Sequence, residues 1–471
     1  MATLTRPVLM LALSGLLGGC AGTGPAYQVP SVATPAHFKE APTAQGWAPA
    51  APADEQAKGP WWQRFGDAQL DALAPQVEVR NQTVAAAVAR YAAAQALVAG
   101  QRASLLPTVQ LTGSGTRSGG GGDAVTANAF RASVGASWEP DLWGRLSASV
   151  RQAQANAQAS AADLAAATLS AQAALASNYF SLREADAELA LLRDTVAGYE
   201  RSLQITDNRY AAGQVARTDV LQAQTQLANA RADLAGLVGQ RAQFEHAIAV
   251  LLGQAPADIS IAAAPWTMTA PEPPLTLPSE LLQRRPDIAS AERAVAAANA
   301  NIGIARAAYF PSLTLSASGG TSATRLADLF SASHTLWSLG LSLAQILFDG
   351  GALNAALRNA EASRDVTIAT YRQTVLTAFQ SVEDLLSTRL ALNEQLLQRQ
   401  QASAAADLSE QQVLNRYRAG QVGYTEVVTA QSSAASARRS VVQLQSSRQL
   451  NAIALIQALG GGWQVAQGVA P

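Results

Sequence analysis

The chain has 471 residues with 33 basic and 34 acidic side chains, so its formal net charge is −1 and gives no indication of nucleic-acid binding. Hydrophobic residues, many of them alanine, make up 49%, aromatic residues 6% and charged residues 14%, which suits helices packed closely side by side better than a thick core of large side chains. Lys39 and Lys58 are the only lysines, which excludes a nucleotide-binding or Schiff-base lysine from the main body.

The N-terminus has the pattern of a secretory signal. Arg6 precedes an apolar run over 8–17, which is too short to serve as a final membrane anchor, and small residues follow it. We therefore expect a signal peptide over residues 1–19.

The sequence Leu17-Gly18-Gly19-Cys20 resembles a bacterial lipobox, in which the cysteine becomes the lipid-modified first residue of the mature protein. Cys20 is the only cysteine, so a disulfide within the chain is excluded; the alternative is a free cysteine beside a cleavage site. Ala21 after it favours the outer membrane by the rule for such lipoproteins. One lipid chain holds weakly, so firm attachment needs a second membrane contact.

Residues 20–60 are predicted to form a lipid-anchored, extended tether, because seven of the 20 prolines lie between 21 and 60 without a periodic pattern. A first repeat is expected over 61–260. Its helical pattern begins at about Ala68 and continues to Leu106, before Pro107.

Alternation of apolar and polar residues predicts a β-hairpin over 108–138, with Ser118–Asp123 as its loop. From Arg145 to Ala197 there is neither Gly nor Pro, which predicts a helix several times the usual length of 11–12 residues. Gly213 supplies the turn at a tip, and Thr218-Asp219 is expected to start the returning helix. A seven-residue repeat of small and apolar residues then predicts a coiled-coil seam: Val220, Ala223, Leu227, Ala230, Leu234, Leu237, Phe244 and Leu251.

The second half repeats this scheme. A linker is expected over 261–280, a second repeat over 281–463 with a hairpin over 312–343 and a tip near 420, and a tail over 464–471. Residues 209–253 align without a gap with 416–460, and 18 of these 45 positions are identical. Thr425-Glu426 is expected to start the second returning helix, with a seam of Val427, Ala430, Ala434, Ala437, Val441 and Leu444.

Four strands of this length and alternation suit a membrane-spanning sheet, with Trp138, Trp143 and Trp337 at the interfaces. Open strand edges cannot be satisfied in lipid, so several chains must contribute to a closed barrel, and three would give twelve strands. A soluble β-sandwich fragment is the alternative reading of the strands alone. After the signal, no segment is expected to provide a transmembrane helix.

Six sets of residues together resemble the TolC family of outer-membrane efflux channels, in its lipoprotein branch with OprM-like and NodT-like members. They are Trp61-Trp62-Gln63-Arg64-Phe65, Arg285-Pro286-Asp287-Ile288 with Ala291-Glu292, Tyr309-Phe310-Pro311-Ser312-Leu313, Ile346-Leu347-Phe348-Asp349-Gly350-Gly351, the two tip motifs at 209–215 and 416–422, and Ala458-Leu459-Gly460-Gly461-Gly462-Trp463.

The resemblance implies an α+β membrane protein: a homotrimer in which a twelve-stranded β-barrel, four strands per chain, continues as a long periplasmic α-helical barrel built from two internal repeats. It implies the exit duct of a tripartite system in a Gram-negative bacterium, exporting drugs or toxic small molecules. The expected partners are a periplasmic adaptor (a membrane fusion protein), an inner-membrane pump of the RND type, and outer-membrane lipid. By the same resemblance, the turns Gly213-Gln214-Val215 and Gly420-Gln421-Val422 contact the adaptor.

The family closes its periplasmic end by polar links between neighbouring coils and by acidic rings. Asp219 and Tyr417 match the positions of such a link, whereas Val422 stands where some members have an arginine. Glu426 matches an acidic ring position, and Thr429 replaces an aspartate of close relatives. We expect one acidic ring at Glu426 with Asp219 nearby; the simpler alternative is that both carboxylates favour helix N-termini.

The sequence indicates no catalytic site, no cofactor and no metal site. His37, His246 and His334 lie far apart, Gly119–Gly122 lacks the Gly-Lys-Ser/Thr of a phosphate loop, and no Cys/His cluster occurs. Two alternative functions remain open: the duct of a type I protein secretion system, and a periplasmic coiled-coil lipoprotein without a pore.

Overall fold

The computed structural model of this protein describes residues 24–35, 38–40, 59–120, 126–266, 270–271 and 284–461. The signal peptide, Cys20, most of the tether and linker, and Trp463 with the tail lie outside the described residues. The helices are α1 Ala68–Arg80, α2 Gln82–Ala103, α3 Arg145–Ala211, α4 Arg217–Leu251, α5 Pro286–Ala307, α6 Ala352–Arg418 and α7 Tyr424–Ala458. The strands are β1 Thr108–Ser118, β2 Ala127–Trp138, β3 Ser312–Ala323 and β4 Thr335–Ala344.

The chain divides into two compact units. The sheet unit contains Met1–Val32, Arg90–Ala161 and Ser290–Gln373, and the tip unit contains Ala33–Ala89, Ala162–Ala289 and Thr374–Pro471. Each unit combines segments from both repeats, since the four boundaries after residue 60 fall inside α2, α3, α5 and α6.

The sheet unit holds one antiparallel sheet in the order β1-β2-β3-β4. Thr108 pairs with Ser137, Phe130 with Ala323, and Ser312 with Ala344 at the starts of the three registers. The sheet exposes its apolar side chains, among them Leu339 at 77%. β1 and β4 are edge strands, so a single chain leaves two rows of backbone groups for pairing.

The chain contains two helical hairpins of equal size, and the greater part of each lies in the tip unit. α3 and α6 have 67 residues each, and α4 and α7 have 35 each. At 1.5 Å per residue the longer helices are about 100 Å long. Each hairpin is joined by a matching ion pair, Arg231 with Glu200 at 2.8 Å and Arg438 with Asp407 at 2.7 Å. These pairs lie 207 residues apart, so the duplication extends to specific contacts.

The two repeats also hold the C-terminal ends of their returning helices in the same way. The Asn81 amide donates to the Leu251 carbonyl at 2.9 Å, and the Arg285 guanidinium donates to the Ala458 carbonyl at 2.7 Å. These groups satisfy carbonyls that a helix end leaves without a helical partner. Gly253 follows the first of these ends at φ +66°.

The core of the tip unit surrounds buried aromatic side chains, including Trp61, Phe65 and Phe180. Beside it, the fully buried Arg183 donates to Asp186 at 2.9 Å, and Arg241 donates to the same carboxylate at 2.7 Å. Two cations on one carboxylate, with further hydrogen bonds, keep the buried charges paired.

The structure corrects the expected extent of the first helix in two respects. The predicted helix from Ala68 to Leu106 is two helices, because Asn81 breaks it: its side-chain oxygen accepts from Thr83 N at 2.9 Å and caps α2. α2 ends at Ala103, before Pro107 is reached.

The coiled-coil seam of the first repeat is confirmed by the burial of Val220, Ala223, Leu227, Ala230 and Leu237. In the second repeat Val427 and Ala434 are buried as expected, and the other expected positions, Ala430, Ala437, Val441 and Leu444, are half-buried. Gln431, which was not expected in the seam, is buried beside Ala430. Gln431 can lie there because its amide donates to the Ser202 hydroxyl at 3.0 Å.

Within the described part of the chain, α2 is long and apolar enough to cross a membrane by length and composition, with a mean hydropathy of 1.2. This differs from the expectation that no such helix follows the signal. Ten of its 22 residues are alanine, so it reaches that level through small side chains.

Candidate functional site at the helical tips

The two tips have the same backbone turn. In the first, Gly213 N donates to Tyr210 O at 2.9 Å and Gln214 N to Arg209 O at 2.8 Å. In the second, Gly420 N donates to Tyr417 O and Gln421 N to Arg416 O, both at 2.9 Å. This is the Schellman pattern, and both glycines have the positive φ that it requires, 70° and 76°. The two motifs, which differ only at Ala211 and Arg418, therefore make the same type of turn.

The returning helices begin one residue earlier than expected. α4 starts at Arg217 and α7 at Tyr424, and the residues before them, Ala216 and Gly423, form no side-chain cap. The expected starts at Thr218 and Thr425 are therefore wrong by one residue, and both threonines lie within the first turn.

Asp219 and Glu426 also lie in the first turns of their helices. A carboxylate there is stabilised by the N–H groups that a helix start leaves without partners. The alternative given above, a helix-end role, is consistent with this position and does not exclude a place in an acidic ring.

Tyr417 of the second hairpin makes the main contacts with the first hairpin at the tips. Its side chain is 2% exposed, and its hydroxyl lies 3.1 Å from the Thr206 hydroxyl. The Arg209 guanidinium donates to the Tyr417 carbonyl at 2.6 Å and lies over the ring, 4.6 Å from its centroid. One arginine of the first repeat thus holds both the backbone and the ring of the second.

A small apolar core supports this contact. Tyr424 packs edge-on against Tyr417 at 5.6 Å between ring centroids, and Ala223 and Val427 complete the buried cluster. Burial, with smaller contributions from the nearby Tyr417, Tyr199 and Asp219, raises the pKa of the Tyr424 hydroxyl to about 12. The hydroxyl is therefore neutral throughout the physiological range, and Asp219 lies close enough to affect it.

The predicted aperture residues are placed differently from one another. Glu426 and Thr429 are exposed, Asp219 is half-buried and Tyr417 is buried. Within one chain no hydrogen bond joins the described residues Asp219 and Tyr417, and the Thr429 hydroxyl donates to the Thr425 carbonyl at 2.9 Å. A link from Asp219 to Tyr417 would therefore require a rearrangement of the tip or a second chain.

The predicted adaptor-contacting residues lie at the two turns. The glycine and glutamine of each turn are exposed, and both valines are half-buried. Val422 packs against the small tip core, so its side chain supports the turn from within. Cys20, the predicted lipidation site, lies outside the described residues.

Several contacts between the repeats were missed by sequence reasoning. Besides the Arg209 contact, Gln431 donates to Ser202 at 3.0 Å and Gln226 donates to Ser432 at 2.8 Å. The available signal was the seven-residue spacing of Ser202 and Arg209, which places both on one face of α3. Among the described residues, no group of three or more His, Cys, Asp or Glu side chains could hold a metal ion.

Comparisons with known proteins show what the whole chain is similar to. A family model described as "Outer membrane efflux protein" matches residues 73–254 and 277–461. The chain is 34% identical over 465 residues to the pyoverdine export outer membrane protein OpmQ of Pseudomonas aeruginosa, covering 95% of each. It is 32% identical to the cation efflux system protein CusC of Escherichia coli O6:H1, covering 95% of this chain and 97% of that protein. The solved outer-membrane channel OprN superposes with a TM-score of 0.84 at 31% identity, covering 93% of this chain and 99% of that one.

Proposed function

The chain belongs to the outer membrane efflux protein family and is an outer-membrane efflux channel, and we propose that it is the exit duct of a tripartite system exporting small molecules. The observation that carries this proposal is the pairing of one open-edged sheet with two equal helical hairpins in a chain matched along nearly its whole length by efflux proteins.

The open edges of the sheet support assembly as a trimer. β1 and β4 each leave one side unpaired, and lipid offers no hydrogen bonds to satisfy them. Pairing β4 of one copy with β1 of the next removes every edge once the ring closes, and three copies supply twelve strands. The exposed apolar side chains of β4, such as Leu339 and Leu341, then face lipid.

We propose only the class of cargo, small molecules, and no particular compound. The two relatives named above are described as serving pyoverdine and cations, which differ in size, charge and chemistry. A water-filled duct that serves such different cargoes needs no selective pocket. The pump and adaptor therefore select the cargo, and the duct supplies the passage.

The proposed partners meet the duct at its two ends. A periplasmic adaptor contacts the exposed turns Gly213-Gln214 and Gly420-Gln421, and connects the duct to an inner-membrane pump of the RND type. A lipid on Cys20 adds a second attachment to the outer membrane beside the sheet. Incorporation of labelled palmitate that is lost in Cys20→Ser checks this attachment.

An acidic ring at the tips is the proposed aperture. Glu426 is exposed in the first turn of α7, and three copies would bring three such carboxylates together, with Asp219 nearby. A ring of carboxylates repels anions and concentrates cations. We propose no catalysis and no bound cofactor: the energy for transport comes from the inner-membrane pump.

Conductance in planar lipid bilayers tests the duct and its aperture together. We expect the wild-type protein to conduct poorly and Asp219→Ala with Glu426→Ala to conduct several times more. Asp163→Asn is the matched control, because Asp163 is an exposed carboxylate on α3 far from the tips.

The outcomes separate the two assignments. If none of the variants gives conductance steps although the protein inserts as a trimer, the duct is contradicted. If the wild type conducts but the double substitution behaves like Asp163→Asn, only the aperture assignment is wrong.

A further inference from the structure

The contact between the two tips involves one arginine and one tyrosine, and the duplication provides a second copy of each residue. Arg209 of the first repeat holds Tyr417 of the second. Their counterparts, 207 residues away, are Arg416 and Tyr210. Both counterparts are exposed, and Tyr210 retains 45% of its surface. The chain therefore presents a second arginine and a second tyrosine of the same motif at its surface.

A second contact shows the same arrangement. Gln431 of the second repeat donates to Ser202 of the first, and this hydrogen bond is buried. The counterparts of these residues are Gln224 and Ser409, which the duplication retains as a glutamine and a serine. Both are exposed in the single chain. Two independent contacts between the repeats thus have exposed copies of both partners.

These residues define two kinds of face. The Arg–Ser face is Ser202 with Arg209 on α3, or Ser409 with Arg416 on α6; the seven-residue spacing places each pair on one side of its helix. The Gln–Tyr face is Tyr417 with Gln431, or Tyr210 with Gln224. In one chain the first Arg–Ser face is bound to the second Gln–Tyr face, which leaves one open face of each kind.

We propose that the open Arg–Ser face of one copy binds the open Gln–Tyr face of a second copy of this chain. Arg416 then lies over the Tyr210 ring and donates to its carbonyl, and Gln224 donates to Ser409. Such a contact joins unlike faces, so repeating it around an axis closes a ring. The inference rests on the proposed function, because it requires several copies around one duct.

The two contacts are not equal in strength, which determines where the ring opens. Within the chain, the Tyr417 hydroxyl meets Thr206; the counterpart of Thr206 is Val413, which has no hydroxyl. Tyr417 also packs against the Tyr424 ring, whose counterpart is Arg217. The contact between copies therefore lacks a hydrogen bond and a ring contact. The tips therefore part first between copies, and each chain's own contact breaks only when the tip opens fully.

Cross-linking between introduced cysteines tests the pairing. We expect Gln224→Cys with Ser409→Cys, treated in the full-length protein with a short bifunctional thiol reagent, to give covalent dimers and trimers on a denaturing gel. Ser202→Cys with Gln431→Cys is the matched control, because its cross-link forms within one chain and leaves the monomer mass unchanged. Each single-cysteine variant is treated in the same way, and any cross-linked product that it gives is a cross-link to Cys20 or to the same position in another copy.

The native mass in detergent separates the possible failures. A second cysteine pair, Tyr210→Cys with Arg416→Cys, is tested alongside the Gln224/Ser409 pair. If the protein is a trimer in detergent but both pairs give only monomer on the denaturing gel, the proposed pairing is overturned and the duct is not. A native mass of one chain overturns the trimer of the proposed function, and the pairing with it.

Discussion

Replacing Arg209 by alanine removes the strongest contact between the two tips of one chain. The substitution deletes the hydrogen bond to the Tyr417 carbonyl, 2.6 Å long, and the cation over the Tyr417 ring, 4.6 Å from its centroid. A hydrogen bond from a charged group contributes about 1.5–3 kcal/mol, and an exposed cation–π contact about 0.5–1 kcal/mol. The closed arrangement of each chain should therefore lose about 2–4 kcal/mol, taking both contacts as broken in the open tip.

A loss of this size shifts a two-state equilibrium between closed and open tips by a factor of about 30 or more, since about 1.4 kcal/mol corresponds to a tenfold change. Planar-bilayer recording measures this as a rise in open probability. Arg209→Lys should fall between the wild type and Arg209→Ala, because lysine retains a charged donor but lacks the planar guanidinium that covers the ring.

Arg201→Ala is the control for Arg209→Ala, because Arg201 lies on the same helix and is exposed. Equal behaviour of the two alanine variants, in bilayer recordings and in the rate of proteolysis near the tips, would refute the reasoning. It would mean that the Arg209–Tyr417 contact does not contribute to closure.

Three further predictions concern single positions. Val413→Thr should lower open probability, since it supplies the hydroxyl that Thr206 provides within the chain; unchanged recordings would contradict the comparison of the two contacts. Burial raises the pKa of Glu184 above its usual 4.5, and the Glu188 carboxylate raises it further, opposed by Ser446 and Arg439. The ionised form is thus disfavoured in the folded state, and stability falls as pH rises from the unfolded pKa through the folded one. Glu184→Gln should therefore raise the melting temperature in detergent at pH 7 and raise it less at pH 4, and an equal gain at both would count against this sign. Gly253→Ala should destabilise the fold by more than about 1–2 kcal/mol, because a left-handed φ of 66° adds to a Cβ placed 2.1 Å from the Arg80 carbonyl oxygen. Its control is Gly213→Ala, which has a similar φ of 70° and nothing within 4 Å, so similar melting temperatures for the two would refute the argument from crowding.

The long helices and the strands could be predicted from the sequence because their signals are local. The absence of Gly and Pro from Arg145 to Ala197 indicated an uninterrupted helix, and the structure has 67 residues in α3 and in its counterpart α6. Alternation indicated the four strands. The break at Asn81 was missed because a polar residue is common on a helix surface; its reason lies in the Leu251 carbonyl, 170 residues away.

The sequence predicted where the candidate site lies but not which of its two tyrosines is buried. Arg209-Tyr210 and Arg416-Tyr417 are identical dipeptides, so no local rule distinguishes the buried tyrosine from the exposed one. The distinction arises only when the first hairpin packs against the second and buries Tyr417. Burial of Gln431 likewise depends on Ser202, a residue 229 positions away.

The equal lengths of the two hairpins limit how this protein can change in evolution. One residue inserted into α3 would move Gly213 by about 1.5 Å along the helix and rotate it by about 100°. Arg209 would then no longer face Tyr417, while the second hairpin would be unaffected. A viable change in length must therefore be made in both hairpins, in the outgoing and the returning helix of each, and in multiples of seven residues. Most single insertions should be eliminated from the helices, and length variation among descendants should accumulate in the segments outside them.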